Sequence, residues 1–71
     1  MAQDVQAALA GNVWKVYVEV GDTVEEDDEL FVVEALKMEI PVYSPCDGKV
    51  AEIRVKKGDT VEEDDVIAVI D

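Results

Sequence analysis

A chain of 71 residues with 18 acidic and 6 basic side chains, a net charge of −12, has room for one small domain and repels phosphate backbones and anionic lipid surfaces alike. Hydrophobic residues make up 49% of it, which argues against disorder, and no apolar run nears the roughly 20 residues of a membrane span. The absence of histidine removes imidazole bases, Ser-His-Asp arrangements and imidazole metal sites.

A domain of this size buries only about 60% of its unfolded surface, so a thin core without a substrate-enclosing pocket is expected. The single Cys46 cannot form an internal disulfide, and Met1–Asp4 lacks a secretory pattern, so the expected compartment is the cytoplasm. The acidity reads as a solubility device or as adaptation to a salty cytoplasm, where salt screens the self-repulsion.

In chain order, residues 1–4 read as a loose end, Val5–Leu9 as a strand and Gly11-Asn12 as a turn. From Trp14 to Val20 the alternation predicts a half-buried strand with Trp14, Val16, Val18 and Val20 inward and Lys15, Tyr17 and Glu19 outward. Trp14 is assigned to the core on this pattern. Gly21-Asp22 is a turn signal, and Glu25-Glu26-Asp27-Asp28 an acidic loop in water. Leu30–Val33 is a continuous apolar run that predicts a buried strand, and Ile40–Tyr43 a further strand in which Pro41 must sit where no ladder donor is needed. Pro45 and Gly48 close that strand. Ala51, Ile53 and Val55 then point inward with Glu52, Arg54 and Lys56 outward. Gly58-Asp59 turns the chain, and Val66–Ile70 is the last buried strand. No window of useful length has helical periodicity.

The second half repeats the first. Gly21-Asp22-Thr23-Val24-Glu25-Glu26-Asp27-Asp28 recurs unchanged as Gly58-Asp59-Thr60-Val61-Glu62-Glu63-Asp64-Asp65, an offset of 37 residues. Residues 5–34 mirror residues 42–71, which predicts one domain over 1–71 with pseudo-two-fold symmetry. Lys37 lies in the short unrepeated link, on a turn where its amine projects into water. An exposed lysine is ordinarily plain surface. Here it stands between two large apolar residues, Leu36 and Met38, which have no folding reason to occupy a turn tip and suggest a surface read by a partner. Cys46 has no cationic neighbourhood to activate it, and the carboxylates lie on turns rather than in a pocket, so catalysis is not expected.

The run Ala35-Leu36-Lys37-Met38-Glu39, with Gly-Asp-x-Val in both halves, resembles the biotinyl/lipoyl carrier domain family over nearly the whole chain. The family's usual signature has Met on both sides of the lysine, so Met38 matches and Leu36 departs. Glycine is frequent in the family where Asp27 and Asp64 stand, which marks those two positions for positive φ. The resemblance implies an all-β flattened barrel-sandwich of two four-stranded antiparallel sheets with Lys37 on a hairpin tip. It implies biotin attached covalently to Lys37, with Glu34, Ala35, Leu36 and Met38 as the context read by a biotin protein ligase. It further implies a non-catalytic shuttle of carboxyl groups between a biotin carboxylase and a carboxyltransferase. Two alternatives stand beside it: lipoate on the same lysine, and an unmodified barrel-sandwich interaction module.

Overall fold

The computed structural model describes residues 2–71. Eight strands form: β1 (Gln3–Gln6), β2 (Gly11–Val16), β3 (Thr23–Val24), β4 (Glu29–Ala35), β5 (Met38–Tyr43), β6 (Gly48–Ile53), β7 (Thr60–Val61) and β8 (Val66–Ile70). They make two four-stranded antiparallel sheets in the orders β1-β8-β6-β3 and β5-β4-β2-β7. An offset of 37 residues converts the first order into the second. Each sheet takes two strands from each half, so neither half can build a sheet alone.

The loop bonds repeat with the strands. Tyr17 N–H donates to Leu30 O at 2.9 Å and Arg54 N–H to Ile67 O at 2.8 Å; Gly21 N–H donates to Val50 O and Gly58 N–H to Val13 O, both at 2.8 Å. The core between the sheets is aliphatic, with Val13, Leu30, Phe31, Val50, Val61, Ile67 and Ile70 almost fully buried. It is built mainly from the two continuous runs of β4 and β8, the length and β-branching of which suit a strand covered on both faces.

Several expectations are corrected. The N-terminal segment is paired from Gln3 onward, Gln3 lying opposite Ile70, so only Met1 of the supposed loose end is outside the described residues. The first strand therefore spans Gln3–Gln6 rather than Val5–Leu9. Gly11 is no turn residue. It opens β2, and a Cβ there would lie 2.3 Å from Glu34 O; at Gly48, its counterpart opening β6, the same atom would lie 2.5 Å from Asp71 O. Both glycines are required by the close approach of a neighbouring backbone.

The inward stripe holds at Val16, Val18, Ile53 and Val55 and breaks at its start. The pairing of β2 with β4 steps from Val13↔Val33 to Lys15↔Val32, leaving Trp14 as the extra residue of a bulge. Val13 is consequently the buried residue, whereas Trp14 is 44% exposed and lies with its ring 5.7 Å from Lys57 Nζ. The same step in β6, from Val50↔Ile70 to Glu52↔Val69, buries Val50 and turns Ala51 out. Val16, Val18, Ile53 and Val55 pack against the core only partly, and Val20 is exposed.

The acidic turns are built rather than merely solvated. Asp22, Asp28, Asp59 and Asp65 each accept, through Oδ2, the N–H of the residue three positions earlier at 2.8–3.0 Å. Asp27 and Asp64 take φ of 71° and 69°, as their replacement of glycine predicts. Pro41 lies on β5, an outer strand of its sheet, where its missing N–H is tolerated. Among the described residues, no helix is long and apolar enough to cross a membrane.

Candidate functional site

β4 and β5 are joined by two residues, Leu36 and Lys37, with Ala35 paired to Met38 at the base of the turn. Both turn residues have positive φ, 52° at Leu36 and 65° at Lys37, the requirement of the type I′ hairpin. That turn is ordinarily made by Asn-Gly or Asp-Gly, because the left-handed region costs other residues about 1–2 kcal/mol each. Leucine and lysine gain nothing here to offset it. Leu36 is 88% exposed and Met38 63% exposed. One register step below, Glu34 stands opposite Glu39, like charges across a strand pair that disfavour the pairing.

The hairpin is thus held rigidly by β4, whose Phe31, Val32, Val33 and Ala35 are buried, while its tip is composed against folding preference. Positive φ also occurs at Asp27 and Asp64 and apolar exposure at Trp14 and Val20, but only at this tip do consecutive left-handed residues coincide with exposed apolar side chains, which marks a functional position. The structure brings Leu36, Lys37 and Met38 together on the tip, places Glu34 on the surface beside them, and turns Ala35 inward as packing under the turn. Among the described residues Lys37 has no carboxylate within ion-pair distance; Arg54 and Glu52, at 3.2 Å, form the ion pair found there. The tip therefore offers one free primary amine flanked by two thioether- and alkyl-bearing side chains. A primary amine so placed is open to an activated carboxyl group brought from outside.

A second feature escaped the sequence reading. On the outer face of the hairpin sheet, a groove of about 230 Å³ is lined by Lys15 and Tyr17 after the β2 bulge, Glu29 and Val32 of β4, and Glu39 and Pro41 of β5. The outward alternation of Lys15 and Tyr17 was the available signal. The pairing that sets Pro41 beside Val32, one strand over, was not.

The structure is an all-β frame that displays one free lysine on a strained, exposed hairpin. A family model described as "Biotin-requiring enzyme" matches residues 3–70, and the chain belongs to that biotinyl/lipoyl family. It is 44% identical over 44 residues to the biotin/lipoyl attachment protein of Bacillus subtilis, covering 62% of this chain and 60% of that one. It is 48% identical over 42 residues to the biotinylated protein TB7.3 homolog of Mycolicibacterium smegmatis, covering 59% of each. The alignments thus span about 60% of the length of these relatives. Among solved structures, the urea carboxylase of Kluyveromyces lactis superposes with a TM-score of 0.92 at 40% identity, covering 99% of this chain and 6% of that one. Fold and family make the chain a biotinyl/lipoyl domain.

Proposed function

We propose that this chain is a biotin carboxyl carrier, one domain over residues 1–71, with biotin held as an amide on Lys37. The observation that carries the reading is the Leu36-Lys37 turn: two residues in left-handed backbone, exposed, where folding alone favours Asn-Gly. The donor chemistry suits the group. A biotin protein ligase presents biotin as an acyl-adenylate; the unprotonated Lys37 Nζ attacks the acyl carbon, the amide forms, and AMP departs with loss of the amine proton. Leu36 and Met38 give the ligase an apolar grip on either side of the nucleophile, with Glu34 and Ala35 as the context behind it. When bound, biotin supplies a ureido nitrogen that takes up a carboxyl group at one active centre and yields it at another.

What the chain contributes afterwards is presentation. The hairpin presents the tethered ring at one end of the domain, and tethering raises its effective concentration at a second active centre. A biotin carboxylase and a carboxyltransferase are the partners, approached by an acidic domain that speeds association with basic docking surfaces more than it tightens binding. The cytoplasm is the compartment this implies. Lipoate on the same lysine is the second carrier chemistry, to which the Biotin-requiring family description lends no support.

The test is co-expression with a biotin protein ligase, followed by intact-mass and peptide analysis. The native chain is expected to gain one biotinyl group on Lys37. Lys37→Arg is expected to fold normally and gain none, because a guanidinium does not deprotonate to a nucleophile at usable pH. Lys15, Lys49, Lys56 and Lys57 serve as internal controls. A native chain that stays unmodified beside an active ligase, or that is labelled equally on those lysines, defeats the proposal.

A further inference from the structure

The outer groove differs between two faces that the fold makes equivalent. The residues 37 positions from Lys15, Tyr17, Val32 and Pro41 are Glu52, Arg54, Val69 and Asp4, and on that face Glu52 and Arg54 form an exposed ion pair at 3.2 Å. On the hairpin face the ion pair is replaced by Lys15 and Tyr17, and among the described residues Lys15 pairs with neither Glu29 nor Glu39. The groove lies on the face whose strands carry Lys37.

We infer that this groove is the resting seat of the group attached to Lys37, an inference that rests on the attachment reading above. Its make-up matches a small bicyclic ureido ring. Val32, Pro41 and the Tyr17 ring form an apolar floor and wall, the Glu29 and Glu39 carboxylates accept from ureido N–H groups, and the Lys15 ammonium donates to the ureido oxygen. At about 230 Å³ it lies below the ~300 Å³ at which drug-sized ligand sites begin, room for a ring head group and no more. The tether reaches its near end, at Glu39 and Pro41, and only the far edge of the ring extends toward Glu29, opposite Tyr43. About eleven single bonds of ~1.5 Å separate the lysine Cα from the ring, on the order of 14 Å extended. Along β5, at ~3.3 Å per residue, Glu39 lies about 7 Å and Pro41 about 13 Å from Lys37.

Affinity need not be high. A short tether supplies an effective concentration in the millimolar range, so a millimolar intrinsic affinity holds the ring about half the time. The groove's charge gives the seat a direction. One ammonium against two carboxylates accepts a neutral ring and repels one that has acquired a negative carboxyl group. The empty ring rests on the domain; the charged one is released toward its next partner.

The experiment uses isotope-labelled protein carrying unlabelled biotin, with intact mass first establishing one biotinyl group on Lys37. Isotope-filtered nuclear Overhauser spectra are expected to connect ring protons to the Tyr17 ring and to Pro41, with amide shift changes at Lys15 and Val32 that are independent of protein concentration. Tyr17→Ser, at a half-exposed position, is expected to keep the fold and the biotinylation and to lose those contacts. Shift changes confined to residues 35–39 of a fully biotinylated chain overturn the seat and leave the attachment intact. Changes that grow with protein concentration overturn it in favour of a second copy's groove. A chain without biotin on Lys37 overturns both readings.

Discussion

Replacing Leu36-Lys37 by Asn-Gly should make the protein more stable and useless as a carrier. Both residues stand in left-handed backbone, at φ of 52° and 65°, a region costing about 1–2 kcal/mol for each ordinary residue. Asparagine relieves part of that cost and glycine all of it, for a gross gain of about 2–3 kcal/mol. Against this stands the extra freedom of glycine in the unfolded chain, about 0.4–1 kcal/mol. Leu36 is 88% exposed, so almost no buried area is lost with it. The net is a stabilisation of about 1–2 kcal/mol, and in a domain of this size each kcal/mol raises Tm by about 4–8 °C. Thermal denaturation followed by circular dichroism measures the shift, and ligase labelling measures the loss of function. A variant no more stable than the native chain refutes the argument that the tip is strained, and with it the reason for reading function from its geometry.

Three further outcomes follow from the frame. Val13→Asp and Val50→Asp each place an unpaired charge at equivalent buried positions and should unfold the chain equally, by more than about 3 kcal/mol, whereas Trp14→Ala should cost nearer 1 kcal/mol; denaturant titration compares them. Asp27→Gly and Asp64→Gly, at φ of 71° and 69°, should each stabilise by about 0.5–1 kcal/mol, while valine at either site destabilises by more than 1 kcal/mol; unequal effects at the two positions in melting experiments contradict the equivalence of the turns. With a net charge of −12, Tm should climb as potassium chloride is raised from low to molar concentration, and a flat profile leaves solubility as the only role of the acidity.

Much of this architecture was legible because the sequence states it twice. The β4 and β8 runs are too short and too β-branched for helices, and Asp27 and Asp64 mark positive φ by standing where the related family has glycine. The hairpin tip was legible for a different reason: Leu36 and Met38 make no sense in a turn that only folds. What failed was phase. The alternation from Trp14 to Val20 is coherent by itself and holds for Val16 and Val18, but nothing local reveals that Trp14 is the extra residue of a bulge, so the buried place before it went to Trp14 instead of Val13. Gly11 misled similarly, because a glycine that admits a neighbouring carbonyl at close range looks the same in sequence as one that turns the chain. The groove beside the hairpin joins residues of three strands and becomes visible only once Val32 is known to face Pro41.

The two-fold relation has a topological consequence. It gives the frame two equivalent corners, and the chain crosses only one of them. At that corner β4 runs into β5 through Leu36 and Lys37; at the other, β8 stops beside β1, with Ile70 opposite Gln3. Entry and exit are therefore neighbours, at the place where a second lysine hairpin would otherwise stand. A longer polypeptide can run into and out of the module there without rerouting a strand. The two-fold thus sets the chain ends at one corner and the Lys37 hairpin at the other.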